Sequence, residues 1–69
     1  MDDRTRYETV KSRLRVMGEG TAQQVHDAME LNPYSVREVA NTLDEMVLNE
    51  PDEFEKIGEA YRCKKKIAN

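Results

Sequence analysis

Apolar positions near the N-terminus follow a helical repeat. Four apolar residues recur at steps of three, four and three, the spacing at which side chains share one face of an α-helix. They are Tyr7, Val10, Leu14 and Met17. The pattern predicts helix one over about residues 4–17. Gly18 follows the last apolar position, where glycine commonly ends a helix in a left-handed conformation.

A capping motif predicts the start of a second helix. Thr21 is followed three residues later by Gln24, the arrangement of a capping box in which each residue satisfies a backbone N–H of the other. A short apolar face comes after it, consisting of Val25, Ala28 and Met29. Helix two is therefore predicted over about residues 21–30.

A longer amphipathic segment comes next and predicts helix three over about residues 33–49. Asn32 is the expected N-cap and Pro33 the first helical residue, where its missing N–H costs nothing. Leu31 is expected to point inward from the preceding turn. The apolar stripe consists of Val36, Val39, Ala40, Leu43, Met46 and Val47. The opposite, polar face is expected to carry Tyr34, Arg37, Glu38, Asn41, Thr42 and Glu45.

The composition changes after helix three. Pro51 breaks the helix because proline lacks the donor that a continuing helix needs. Gly58 then separates two short strand-like segments, which predicts a hairpin over about residues 54–64. Tyr61 and Cys63 are expected to share its inner face, because alternate strand residues point the same way.

These elements predict a single domain over residues 1–69 that ends in a frayed tail, residues 65–69. Its fold class is mainly α with a small β-hairpin, an α+β fold. A chain of 69 residues has little core with which to build a deep cleft. The sequence also has no Ser-His-Asp set, glycine-rich phosphate loop or zinc-ligand spacing. We therefore expect a binding module rather than an enzyme, with no cofactor and no metal site.

Single residues narrow the class further. Cys63 is the one cysteine, so no intramolecular disulfide can form. His26 has no second histidine or cysteine at ligand spacing and is expected at the surface or at its boundary with the core. The longest apolar run, Met46 to Leu48, is far too short to span a membrane. We expect a cytoplasmic protein that has no membrane partner.

Charge is distributed unevenly along the chain. The formal net charge is −3, and the segment from Glu19 to Glu59 carries eleven acidic residues against Arg37 and Lys56. Both ends are basic. The basic residues near the ends are Arg4, Arg6, Lys11, Arg13 and Arg15, and then Arg62, Lys64, Lys65 and Lys66.

Three helices followed by a hairpin, with a tight turn between the second and third, is the order of a winged helix. Residues 21–25 and 31–37, with Val39, Leu43 and Met46 after them, resemble the winged helix-turn-helix superfamily of transcription regulators of prokaryotic or phage type. Gly58 and the pair Tyr61-Arg62 are similar to the superfamily's wing. The chain departs from the usual pattern at Glu50, where the superfamily commonly has glycine, and in having Arg37 as the only basic residue of helix three.

The resemblance implies sequence-selective binding of double-stranded DNA, with helix three in the major groove and the wing on the phosphate backbone. Arg37 suits guanine, Asn41 suits adenine, and Glu38 can accept from cytosine. Helix three is expected to supply Tyr34, Ser35, Arg37, Glu38, Asn41 and Thr42 to the interface. The wing and tail are expected to supply Lys56, Arg62, Lys64 and Lys65, which neutralise phosphates.

The acidic middle of the chain leaves a second interpretation open. The surplus of nine negative charges between Glu19 and Glu59 opposes binding to phosphates. It favours an acidic winged helix that acts as a protein–protein interaction module or as a mimic of nucleic acid. The expected partners are thus duplex DNA, another protein, or a second copy of the chain in a homodimer.

Overall fold

The computed structural model describes residues 3–29 and 33–64. In chain order the elements are α1 (Asp3–Met17), β1 (Glu19–Thr21), α2 (Ala22–Ala28), α3 (Val36–Asn49), β2 (Phe54–Ile57) and β3 (Ala60–Cys63). The strands form an antiparallel sheet in the order β1-β3-β2. This arrangement is the predicted α+β class and is compatible with a winged-helix-like fold.

Gly18 ends α1, as its sequence position predicted. Its φ angle is +84°, a value that L side chains rarely adopt, and its N–H donates a 2.7 Å hydrogen bond to the carbonyl of Leu14. Gly18 is the one residue between α1 and β1. This tight exit places the end of α1 beside the sheet.

Strand β1 is the element that the sequence pattern missed. Its residues Glu19, Gly20 and Thr21 pair with Arg62, Tyr61 and Ala60 of β3. The segment includes a glycine and is only three residues long, so it resembled a turn. Because β1 pairs with β3, the start of α2 lies next to the hairpin.

The capping box at α2 is confirmed. The Thr21 side chain accepts from the backbone N–H of Gln24 at 3.2 Å, and the Gln24 side chain accepts from the backbone N–H of Thr21 at 2.9 Å. The helix ends at Ala28, two residues before the predicted end. The predicted turn over residues 30–32, including Leu31, lies outside the described residues.

The predicted start of helix three is wrong. Pro33 lies outside the helix, the proposed N-cap Asn32 lies outside the described residues, and the observed N-cap is Ser35. Ser35 forms a second capping box with Glu38, which outweighs the signal of an isolated proline. Tyr34 and Val39, both buried, occupy the N′ and N4 positions of a hydrophobic staple.

The core lies between the three helices and the inner face of the sheet. Its buried apolar residues are Val10, Leu14, Val25, Met29, Tyr34, Val39, Leu43, Met46, Phe54 and Tyr61. Tyr7, Met17, Val47 and Cys63 pack against it while half-buried. Val16 and Leu48, which lie off the predicted apolar stripes, are 75% and 80% exposed.

Side chains of α1 hold the corner between α3 and the hairpin. The Tyr7 hydroxyl donates to the Glu50 carboxylate at 2.7 Å, and the Lys11 ammonium lies 3.0 Å from the same oxygen. The Arg15 guanidinium donates to Glu53 at 2.6 Å. Glu50, which stands where the superfamily commonly has glycine, therefore binds two side chains of α1 at the corner between α3 and the hairpin. These contacts fix the hairpin beside α3.

Candidate nucleic-acid interface

One face of α3 is open to solvent. Arg37, Asn41, Asp44 and Leu48 follow each other at steps of four, three and four residues, so they share this face, and all are exposed. It points away from the buried residues Val39, Leu43 and Met46. The hairpin contacts this face at Asp44, which remains exposed, so one side of α3 is anchored in the core and the other is open.

Arg37 lies in the first turn of this exposed face. Among the residues that the structure describes, its guanidinium has no ion-pair or hydrogen-bond partner. Asn41 follows one turn later on the same side of the helix. The two polar side chains therefore lie one turn apart on the N-terminal half of α3. In helix-turn-helix proteins, this half of the recognition helix contacts the bases.

Ser35 and Glu38 are exposed but are occupied by local contacts. The Ser35 hydroxyl accepts from the backbone of Glu38 at 3.1 Å, and one Glu38 oxygen accepts from the backbone N–H of Ser35 at 2.9 Å. The other Glu38 oxygen lies 3.8 Å from the Arg6 guanidinium of α1. To contact a base, Glu38 would have to leave its own helix cap.

Tyr34 and Thr42 were predicted on the polar face, and that prediction is wrong for both. Tyr34 is 8% exposed because it precedes the N-cap and packs into the core. Thr42 is 1% exposed, and its hydroxyl donates to the carbonyl of Glu38 at 2.9 Å and accepts from Arg6 at 2.8 Å. Helix α1 covers this side of α3, which narrows the open face.

In the β2–β3 hairpin, which we call the wing for its position after α3, Lys56 faces α3. Its ammonium lies 3.6 Å from a carboxylate oxygen of Asp44 and 5.4 Å from the centre of the Tyr61 ring. The Tyr61 hydroxyl donates to the same Asp44 oxygen at 2.6 Å. Burial, together with this hydrogen bond, raises the pKa of Tyr61, so the hydroxyl remains a donor.

The other predicted basic contacts lie elsewhere. Arg62 is on the outer face of the sheet, paired across the strands with Glu19 and Glu55, and it forms an ion pair with Glu55. Lys64 is exposed but follows β3, at the end of the hairpin opposite Gly58. Lys65 lies outside the described residues. Arg62 and Lys64 are thus not on the side of the hairpin that carries Lys56 toward α3.

A shallow groove of about 320 Å³ separates the start of α2 from the wing. It is lined by Thr21, Ala22, Gln23, Lys56, Glu59 and Tyr61. The groove adjoins the exposed face of α3 through Lys56 and Tyr61, both of which contact Asp44. The open surface therefore extends from α3 across to the wing.

Most basic side chains in the described part of the chain pair with the protein's own carboxylates. The ion pairs are Arg6–Glu38, Lys11–Glu50, Arg15–Glu53, Lys56–Asp44 and Arg62–Glu55. Three of them join α1 to α3 or to the corner after it. A guanidinium or ammonium that is already paired in this way is less available to an anion outside the protein.

Other candidate chemistry is sparse within residues 3–29 and 33–64. No group of three or more His, Cys, Asp or Glu side chains there is placed to hold a metal ion. The Nδ1 atom of His26 lies 3.1 Å from a carboxylate oxygen of Asp27. This hydrogen bond is the largest cause of the lowered pKa of Asp27. Cys63 is a free, half-buried thiol. None of the described helices is both long enough and apolar enough to cross a bilayer.

The sequence analysis missed Asp44 as part of the site. Asp44 lies seven residues after Arg37, two helical turns along the same face, so the repeat that selected Arg37 and Asn41 also marks it. Its contacts with Lys56 and Tyr61 could not be found from spacing, because they depend on how the hairpin packs beside α3.

Comparison with protein-family models, with curated protein sequences and with solved structures finds no match to this chain.

Proposed function

We propose that this domain binds double-stranded DNA with the exposed face of α3 and acts as a small transcription regulator of the winged helix-turn-helix kind. The observation that carries the proposal is the pairing of Arg37 and Asn41 on an uncovered helix face beside a hairpin. A helix fits the major groove, where an arginine can bind guanine and an asparagine can bind adenine through two hydrogen bonds each.

The hairpin supports this proposal through its position. Lys56 lies on the side of the wing that faces α3, where it would approach the phosphate backbone that borders an occupied groove. The groove between α2 and the wing offers further space along that line. Contacts from the wing would position α3, while the α3 side chains would select the sequence.

Affinity is expected to be modest for a single copy. Asp44 and Glu45 are exposed on α3 close to Arg37 and Asn41, and like charges repel phosphate. Such repulsion penalises every sequence, whereas base contacts reward the correct one. Two copies on neighbouring half-sites would recover the affinity that one copy lacks.

A protein partner is the second candidate, and a specific observation favours it. Leu48 is 80% exposed on the same α3 face as Asp44, which gives that face an apolar position one turn after an acidic one. A basic amphipathic segment of another protein would complement this surface. The domain would then be an acidic interaction module.

DNA binding is tested by fluorescence anisotropy of a labelled mixed-sequence duplex titrated with the protein at low and at moderate salt. The proposal predicts saturable binding. The logarithm of the association constant should fall linearly with the logarithm of the salt concentration, with a slope of about −0.9 for each phosphate contact. A duplex that stays unbound at low salt would contradict the proposal and favour the protein partner. A single-stranded oligonucleotide of the same sequence is the control, and it should bind more weakly.

A further inference from the structure

Asp44 connects α3 to the wing through two side chains of the hairpin. Tyr61 donates to its Oδ1 atom at 2.6 Å, and the Lys56 ammonium lies 3.6 Å from the same atom. Lys56 and Tyr61 face each other across the β2–β3 pair, and the ammonium lies 5.4 Å from the ring centre. The lysine is therefore held toward α3 by both an anion and an aromatic ring.

Lys56 is the wing cation on the side of the sheet that faces α3. The two basic residues between Phe54 and Cys63 are Lys56 and Arg62, and Arg62 lies on the opposite face beside Glu55. Any phosphate that approaches along the α3 side of the wing therefore meets Lys56. That lysine already has Asp44 as its counterion.

We propose that Asp44 competes with the DNA backbone for Lys56, so that the wing contacts a phosphate only when Asp44 is displaced from the lysine. This proposal rests on the proposed function and gives Asp44 a role in setting the DNA affinity of the same interface. The ion pair can open, because the Lys56 and Asp44 side chains are 47% and 54% exposed and an exposed pair is weak. Asp44 thereby lowers the affinity for every DNA sequence, and discrimination between sequences is left to Arg37 and Asn41.

Glu45 provides a matched control for this role. It is the next residue along α3, it is exposed, and it carries the same charge. Consecutive helix positions differ by about 100° in direction, so Glu45 points away from the wing. Its removal changes the overall charge in the same way but does not release Lys56.

The test measures duplex affinity for D44N, E45Q and K56Q and for the double variants D44N/K56Q and E45Q/K56Q. Asparagine keeps an oxygen that can accept from Tyr61, so the hairpin contact survives. Near-ultraviolet circular dichroism checks each fold, and Asp44→Ser is a second neutral variant if D44N is misfolded.

We expect D44N to bind about two- to fivefold more tightly than the original chain at low salt, more than E45Q does. For D44N, the slope of the logarithm of the association constant against the logarithm of salt concentration should steepen by about 0.9, the contribution of one phosphate contact. In the K56Q background, the gain in duplex affinity from D44N should equal the gain from E45Q, because no lysine remains to be released.

Equal effects of D44N and E45Q in both backgrounds would overturn the proposal, since Asp44 would then act only through general charge. Weaker binding by D44N would overturn it as well. If no variant binds duplex DNA at low salt, the proposed function fails and this proposal fails with it. Binding without the excess gain in D44N removes this proposal alone.

Discussion

Arg6 of α1 donates a 2.8 Å hydrogen bond to the hydroxyl of Thr42 on α3, and Thr42 is 1% exposed. The same hydroxyl donates to the carbonyl of Glu38 one turn earlier. Helix α1 therefore covers one flank of the helix that we propose to enter DNA. The contact assigns Thr42 to the support of α3, so the base contacts that we propose fall to Arg37 and Asn41.

Thr42→Val tests that assignment. Valine keeps the shape but leaves the Arg6 guanidinium without this acceptor, so we expect the free energy of unfolding to fall by about 1 to 2 kcal/mol in urea denaturation. Duplex affinity of the folded variant should stay within about twofold, the change that a minor shift in packing allows. Thr42→Ser keeps the hydroxyl and is the control. A large loss of affinity in a stable Thr42→Val protein would return Thr42 to the interface.

The corner after α3 should make stability depend on acid. The hydrogen bond from Tyr7, and next the contact with Lys11, lower the pKa of Glu50 below its usual value of 4.5. A depressed pKa stabilises the fold above the unfolded value, and this stability is lost as the pH falls through the folded pKa. The loss should therefore begin near pH 4.5 and continue below it.

Glu50→Gln isolates this contribution. Glutamine can still accept from Tyr7 but carries no charge for Lys11, so we expect a loss of about 1 kcal/mol at pH 7. Urea denaturation should show the two proteins converging in stability below pH 4.5. Glu45→Gln, which removes one carboxylate from an exposed position of α3, is the charge-matched control. Parallel stability curves for Glu50→Gln and the original chain would refute this role.

The same contact has an alkaline signature. Burial, and then the bond to Glu50, raise the pKa of Tyr7 from 10.0 to about 12. Between these values the unfolded chain loses the phenolic proton while the folded chain keeps it, so stability should fall as the pH rises through this range. Tyr7→Phe should reduce the slope in urea denaturation. Some slope should remain, because the pKa of Tyr61 is also raised. An unchanged slope would show that Tyr7 does not contribute.

Much of the fold followed from the sequence alone. The apolar repeat found α1, the Thr21–Gln24 capping box found α2, and Gly58, with a φ angle of +63°, marked the hairpin turn. These features depend on neighbours within four residues, which a sequence displays directly. Strand β1 was missed because its paired residues in β3 lie 39 to 43 positions further along the chain.

The site was harder to predict for a related reason. Helical spacing placed Arg37 and Asn41 on an open face, but it also placed Thr42 there, since the spacing does not show that α1 lies over that flank. Ser35 and Glu38 have the spacing of a capping box, and this signal determines the start of α3 rather than Asn32 and Pro33. Ion pairs between elements depend on packing and cannot be found from local spacing.

Arg37→Ala should weaken duplex binding by about 1 to 3 kcal/mol if its guanidinium binds a base through two hydrogen bonds. The loss should be larger for the preferred sequence than for an unrelated duplex, because phosphate contacts are indifferent to sequence. Arg13→Ala removes the same charge from α1 and should have a smaller effect in the same anisotropy measurement. Equal losses for the two variants would reduce Arg37 to a nonspecific charge.

The central claim is that the uncovered face of α3 is the DNA-binding surface, and backbone amide shifts measured during titration with a duplex test it most directly. We predict shifts at Arg37, Asn41 and Lys56 that weaken steeply as salt is raised, with little change along the middle of α1. Shifts confined to α1, or a spectrum that does not change at low salt, would contradict the claim.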